Sequence, residues 1–327
     1  FSCASHIDAA GNAGVTDTTA TSGAVTIDLT APTISGVTPS WGTHLDMTED
    51  NSGGTVAVTT TGAANGATVT VTVGGVSTTC SVTSNACTAT VVQGTLAGLS
   101  EATHTITVAM TADAAGNAVT SNTATTFIYD KTVPTLNIAI ASNNADTTKA
   151  KSGDTITLTI TASEAITALV CTIDGEATTM GGSGTSWTSA LTLSGDETEG
   201  ALAFSCASFT DATGNVGVTD TTANTGSVNI DLTVPTLGIA MASNNADTAQ
   251  AKLNDVITLT ITASEAVTAL VCTIDGEATT MGGSGTDWTS ALTLSGDETE
   301  GATAFSCASH IDAAGNAGVT DTTATSG

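Results

Sequence analysis

The chain has 327 residues, 31 of them Asp or Glu against four Lys and no Arg, for a formal net charge of −27. Such a surplus repels phosphate backbones and anionic lipid, so nucleic acid and an acidic membrane surface are excluded as partners and cations are the natural ones. Hydrophobic residues reach 40% although aromatics are only 3%, too apolar a composition for a disordered tail; no apolar run approaches bilayer length and no signal peptide is read at Phe1.

The first 23 residues, FSCASHIDAAGNAGVTDTTATSG, return unchanged as residues 305 to 327. Within that long period a shorter one is marked by DLTAPT at 28, DKTVPT at 130 and DLTVPT at 231, and by DAAGN, DAAGN, DATGN and DAAGN at 8, 113, 211 and 312. Units of about 100 residues follow, each large enough for one core. The expected organisation is the tail of a truncated domain over 1–27, a divergent domain over 28–130, a domain over 131–231, and a near-copy of it over 232–327 that lacks its last strand. The residues after the first copy of the 23-residue word, AVTIDLT at 24 to 30, have the pattern of that last strand. A continuing chain or a neighbouring chain would supply its equivalent.

In chain order, TVTVTV (68 to 73) is the clearest alternating segment of the divergent unit. In the second unit strands are expected near 135–142, 154–162, 168–174, 177–180, 187–193, 202–209 and 226–232. TITLTIT (155 to 161) places Ile156, Leu158 and Ile160 on one face and Thr on the other. WTSALTL (187 to 193) turns Trp187, Leu191 and Leu193 inward. No window offers a helix, and GGSGT (181 to 185) reads as a flexible turn, since the Lys and following helix of a phosphate loop are missing. Short strands with Gly- and Asn-rich turns predict an all-β chain of tandem immunoglobulin-like β-sandwich domains. Outward Thr rows could order water or ice, but Thr is the commonest polar strand former on an exposed face.

The cysteines fit that topology. Cys171 with Cys206, and Cys272 with Cys307, have the spacing of neighbouring antiparallel strands, while Cys80 and Cys87 flank a hairpin tip. Cys3 corresponds to Cys307 and is left unpaired by the start of the chain. Metal binding is the rival reading, but no CxxC occurs and the His positions do not cluster with the Cys. Disulfides imply an oxidising compartment.

The words DxTxPT, SEA(I/V), GxxW and DxxGN, in that order, resemble the bacterial Ig-like repeats of very large secreted and cell-surface proteins, including stalks of calcium-dependent adhesins. The resemblance spans the chain. It implies an extender role outside the cell, and in some relatives calcium sits at domain junctions; the cysteine pairs are not a general feature of the group.

Enzymatic constellations are lacking. His6 and His310 occupy the position of Phe209 in the intervening copy, which fits packing better than catalysis, and His44 and His104 have no Ser or Cys partner nearby in sequence. The acids are more informative. Strand directions bring the turn bearing Glu164, the turn bearing Asp211 and Asn215, and the linker residue Asp130 to one pole of the second unit. Asp231, Glu265, Asp312 and Asn316 do the same in the third. The preceding domain would present loops of the SNNAD and SGDETEG kinds there. Like charges ~6 Å apart repel by about 3 kcal/mol at an effective dielectric near 20, so calcium, a hard cation suited to oxygen ligands, is the expected cofactor. The alternative is that Asp211 caps an Asx turn and Glu164 is solvated. In the divergent unit Asp28 and Asp113 remain, but TTGAANG (60 to 66) stands where the Glu-bearing turn would be. The sequence thus points to a non-enzymatic segment of an extracellular stalk or filament, whose partners are neighbouring repeats or identical subunits. A glycan- or surface-binding adhesin module, or a spacer beside an enzyme, are the alternatives.

Overall fold

The structure, a computed structural model, describes all residues except 1, 3–5, 20–22, 24, 120–123 and 326–327. The chain divides into two compact units, 1–132 with 213–215, and 133–212 with 216–327. It is an all-β chain, with a single short helix, Gln93–Ala97, among the described residues.

In the first unit a three-stranded sheet of Thr33–Pro39, Gly54–Thr61 and Ala86–Val91 faces a five-stranded sheet. The latter runs His44–Leu45, Thr125–Tyr129, Ala102–Met110, Thr68–Val73, Val76–Ser81. The strict alternation of TVTVTV carries through: Val69, Val71 and Val73 are buried and the Thr residues face outward or lie half-buried. Trp41 and Phe127 meet edge to face in this core, their ring centroids 5.4 Å apart. Gly54 makes the contact possible, because a Cβ there would lie 2.6 Å from Trp41 Cε3.

The second unit holds two hydrophobic clusters with near-identical surroundings. Around the earlier one, Leu136–Ser142, Thr155–Ile166 and Thr179–Thr192 form one antiparallel sheet. Glu176–Ala177, Val170–Ile173 and Phe204–Ala207 lie in the facing layer, with Lys149–Ala150, Asn229–Ile230 and Gly200–Ala201 as a third small sheet. Ile156, Leu158 and Ile160 are at most 1% exposed, each side chain worth about 2 kcal/mol in removal from water. Around the later cluster Leu237–Ser243, Val256–Val267 and Thr280–Thr293 repeat the first of these sheets, and Glu277–Ala278, Val271–Ile274 and Phe305–Ala308 the second.

Three features depart from the expectation. The first strand of the sandwich is split, and its second piece, Lys149–Ala150, pairs parallel with Asn229–Ile230; two residues are too few to show a period. The strands expected at 177–180 and 187–193 run together in one segment, Thr179–Thr192, yet the chain doubles back through GGSGT inside it: a Cβ at Gly182 would lie 2.2 Å from the Ser186 carbonyl oxygen, and Ser189 Oγ donates to Thr178 Oγ1 at 2.6 Å. Gly182 and Gly184 take φ of +95° and +62°, the left-handed backbone that this turn needs and glycine adopts without strain. Glu164 stands on a strand rather than in the turn that follows, since the strand runs on to Ile166 through a bulge between Thr161 and Ile166.

Each near-copy carries a disulfide at the centre of its core. Cys171 opposes Cys206 in register, and Cys272 opposes Cys307, with Cα atoms 4.1 Å apart and every sulfur-bearing residue at most 1% exposed. The first sandwich instead carries Cys80–Cys87 across neighbouring strands. Cys3 lies outside the described residues. Residues 6 to 14 repeat the local structure of 310 to 318: Ile7 bridges Ala13 as Ile311 bridges Ala317, and the N–H of Gly14 donates to the His6 carbonyl as that of Gly318 does to His310.

Candidate metal centre

Three segments distant in sequence bring Asp231, Glu265 and Asp312 together, each offering a carboxylate oxygen within 4.8 Å of the others. Glu265 is delivered by a bulge in Val256–Val267, between Thr262 and Val267; the extra residues re-aim a side chain that a regular strand would turn to the sheet face. The bulge is fastened to the linker, since Thr236 N–H donates to Ser264 Oγ at 3.0 Å and Ser264 N–H to the Thr236 carbonyl at 2.9 Å.

Asp312 is 4% exposed. Its Oδ1 accepts the backbone N–H groups of Ala314 and Asn316 at 2.8 and 2.9 Å, and its Oδ2 the Asn316 side-chain amide at 2.8 Å. The Asx-turn role weighed against a ligand role is therefore real, yet it uses three of roughly four lone-pair positions and leaves one on Oδ2. Asn316 Nδ2 also donates to the Asp231 carbonyl at 2.9 Å, which ties this loop to the linker directly rather than through a cation.

The earlier sandwich reaches the same place. Asn144, in its SNNAD loop, donates to the Ala314 carbonyl at 2.8 Å and to Asp154 Oδ2 at 2.7 Å. Glu199, in SGDETEG, accepts from Leu232 N–H at 2.9 Å and from Thr233 Oγ1 at 2.7 Å. Those two hydrogen bonds hold Glu199 below its ordinary pKa. Glu265 is pushed the other way, by burial first and then by the carboxylates of Asp312, Asp231 and Glu199. The site concentrates negative charge, and no cationic side chain bonds to these three acids among the described hydrogen bonds and ion pairs.

The other acids named from the sequence fall as follows. Asp130 and Asn215 belong to the first compact unit, where Asn215 Nδ2 donates to the Asp130 carbonyl at 3.0 Å and Asp130 Oδ1 accepts Thr132 N–H at 2.9 Å. Glu164 and Asp211 belong to the second, Glu164 half-buried on its bulge and Asp211 5% exposed. Asp113 accepts from Ala115 and Asn117, and Asn117 Nδ2 reaches the Asp28 carbonyl at 3.1 Å. The tie from loop to linker is thus kept in the divergent repeat, but Asp28 and Asp113 join no group of three acids among the described residues. Glu199 was not singled out by sequence reasoning. A signal was there: an acid stands before the same strand in every repeat, as Glu101, Glu199 and Glu300, and Glu101 also accepts from the linker, at Lys131 N–H (3.1 Å) and Thr132 Oγ1 (2.8 Å).

The histidines have packing roles. Phe209 and His310 are at most 1% exposed, and each ring lies against a glycine backbone, Gly217 or Gly318, where a Cβ would overlap it. His104 Nε2 pairs with the Ser100 carbonyl at 2.8 Å and its ring packs near Phe127. His44 Nδ1 pairs with Thr43 Oγ1 at 3.1 Å.

No known family profile matches the chain, and no curated protein matches it. Among solved structures it is similar to a chain from a 1.5-MDa bacterial ice-binding adhesin studied for host cell surface retention, at 19% identity over 88% of this chain and 94% of that one, TM-score 0.46. It is similar also to a Ca2+-stabilized adhesin with which an Antarctic bacterium binds ice, at 22% identity over 96% and 78%, TM-score 0.44. The I9–I11 tandem of titin matches at 11% identity over 83% and 91%, TM-score 0.27. Its structural neighbours are adhesin and Ig-like β-sandwich repeats. Superposition at these scores is too loose to carry an argument about what the chain binds or does.

Proposed function

We propose that the chain is a non-enzymatic segment of an extracellular stalk or filament, built of tandem Ig-like repeats divided at 28–130, 131–231 and 232–327, with calcium joining linker to sandwich. The observation that carries the reading is the convergence of Asp231, Glu265 and Asp312 oxygens within 4.8 Å, one of the three acids coming from the linker and two from the sandwich. The donor set fits a hard divalent cation: it is all oxygen, and the cysteine pairs of both near-copies are closed in disulfides. Bound there, a cation would neutralise the mutual repulsion that raises Glu265 and would restrict bending at 231–236. Asn316 acts as a positioning residue, holding Asp312 and the Asp231 carbonyl together.

The alternating Thr rows, the buried disulfides and the interlocked linker support a load-bearing rod rather than a ligand pocket. Asp28 and Asp113 lack the third acid and hold calcium weakly or not at all.

Isothermal titration of the 327-residue chain with calcium tests this. The expected result is saturable binding that loses one site in Glu265→Gln, while magnesium at equal ionic strength competes poorly. An unchanged titration in Glu265→Gln contradicts the assignment.

A further inference from the structure

The first sandwich contains a long stretch without charge. Residues 51–100 include no Asp, Glu, Lys, Arg or His, whereas the corresponding span of the second repeat, 152–201, carries Asp154, Glu164, Asp174, Glu176, Asp196, Glu197 and Glu199. The uncharged stretch supplies two open sheet edges. Val76–Ser81 ends the five-stranded sheet and Ala86–Val91 the three-stranded one, with a cleft lined by Val76, Thr78, Thr90, Val91, Val92 and Thr95 beside them. Val76 and Val92 are 51% and 63% exposed.

Folded chains blunt such edges with charge, proline or brevity, and the near-copies do so. After the same two-residue turn their strand is only Glu176–Ala177 or Glu277–Ala278, and each carries an acid. Val76–Ser81 is six residues long and has neither charge nor proline.

The hydrogen bonds that this edge offers follow from its hairpin. Val73 and Val76 flank the turn Gly74–Gly75 and pair, so they exchange both backbone bonds, and the ladder alternates from there. Val76, Thr78 and Cys80 thus direct their backbone groups to Thr68–Val73, while Ser77, Thr79 and Ser81 direct theirs out of the sheet. The same alternation turns Thr68 to its other neighbour, where its carbonyl accepts Thr111 N–H at 3.2 Å. The N–H and C=O groups of Ser77, Thr79 and Ser81 find no backbone partner outside the ladder among the described hydrogen bonds.

We infer that Val76–Ser81 pairs antiparallel with the same strand of a second copy of this chain, about a two-fold axis at Thr79. In that register Ser77 faces the partner strand's Ser81 and Thr79 faces its own counterpart, so the three open N–H and three open C=O groups of each strand are all used. Every pair joins side chains on one face, since Ser77, Thr79 and Ser81 are exposed while Thr78 and Cys80 are half-buried. A slip of one residue would set open groups against groups already bonded. Charge favours a second copy as the occupant. A cationic partner gains nothing from this edge, whereas two chains of −27 can meet here without setting carboxylates face to face. The contact is self-complementary and stops at a dimer. It does not depend on calcium.

Sedimentation velocity of the 327-residue chain over rising concentration is the first arm, with a monomer passing to a dimer and growing no further expected. Thr79→Lys sets two cations face to face at the axis; at an exposed position it should keep the fold and weaken the dimer at least about tenfold. Thr79→Pro removes an N–H that the chain's own sheet does not use, and should act alike. The second arm is amide hydrogen exchange followed residue by residue. Ser77, Thr79 and Ser81 should exchange fast in dilute solution and slowly in the dimer, while Thr78 and Cys80 are protected in both. A chain that stays monomeric throughout, a dimer that survives either variant, or protection gained elsewhere than at 77, 79 and 81 would each overturn the inference.

Discussion

The first sandwich and the two near-copies fill the same architecture in different ways. The first builds its core on Trp41, Phe127 and Tyr129, and its disulfide, Cys80–Cys87, spans a hairpin beside that core. The near-copies place the disulfide itself at the centre, 0 to 1% exposed, where it opposes two strands in register. The earlier near-copy also packs three aromatic rings, Trp187, Phe204 and Phe209, so the difference lies in where the cross-link sits and not in aromatic content.

Reduction should therefore separate the two kinds of repeat more than any other perturbation. In the chain-entropy picture a loop of about 35 residues is worth about 4 kcal/mol, and a seven-residue one about 2.5 kcal/mol. In the near-copies the loss of packed sulfur adds to the first figure. Calorimetry of the reduced chain should show the transition of the near-copies moving down well before that of the first sandwich. Equal shifts would erase the distinction.

A second contrast lies at the ring that rests on a glycine. Phe209 goes with Gly217 and His310 with Gly318, whereas the first sandwich has Thr111 with Val119 at the equivalent places. A large ring on a bare backbone and a small residue beside a branched one fill the same space. Gly217→Ala should thus cost about 2 to 3 kcal/mol by displacing Phe209, and Phe209→Thr should recover part of that loss in the double variant. Thermal melts of the single and double variants check it, and additive effects would show that the two sites are uncoupled.

The third contrast is alkaline. The chain's one tyrosine, Tyr129, donates to Asp50 at 2.5 Å, and burial, that hydrogen bond and the carboxylate charge raise its pKa from 10.0 to about 12. A group whose folded pKa is raised supports the fold fully below the unfolded value and loses that support as pH rises through the folded one. The first sandwich should accordingly lose about 2 kcal/mol between pH 10 and 12. The near-copies, with Ile230 at the matching place, should not share this loss. Tyr129→Phe should remove the alkaline slope while lowering stability at neutral pH by about 1 kcal/mol. Urea melts at pH 9 and 11.5 distinguish the cases.

The smallest expected effect is acidic and belongs to the third sandwich. Glu265 is raised above its ordinary 4.5, so in a calcium-free solution stability is best below that value and falls as pH rises through the raised one. Calcium should abolish the slope, and so should Glu265→Gln.

Much of this could be read beforehand, for a physical reason. TITLTIT and TVTVTV alternate strictly because one face of each strand is buried, and that period survives in the linear sequence. The joining of Asp231, Glu265 and Asp312 was legible because antiparallel strand directions fix which turns share a pole. What escaped was short or set by tertiary context. Lys149–Ala150 is too brief to show a period. Glu164 and Glu265 owe their aim to bulges that no local pattern announces. The SNNAD and SGDETEG loops were expected at this place, but not that Asn144 and Glu199 would be the residues in them that bond across the repeat boundary.

The account turns on a cation held where linker and sandwich meet, and crystals of the chain grown in calcium test it most directly. The prediction is an ion among Asp231, Glu265 and Asp312 with oxygen distances of about 2.3 to 2.6 Å, absent from crystals of Glu265→Gln grown alongside. Carboxylates that turn apart into solvent, with water or nothing between them at full calcium, would contradict it and leave Asp312 a turn former and Glu265 a strained neighbour.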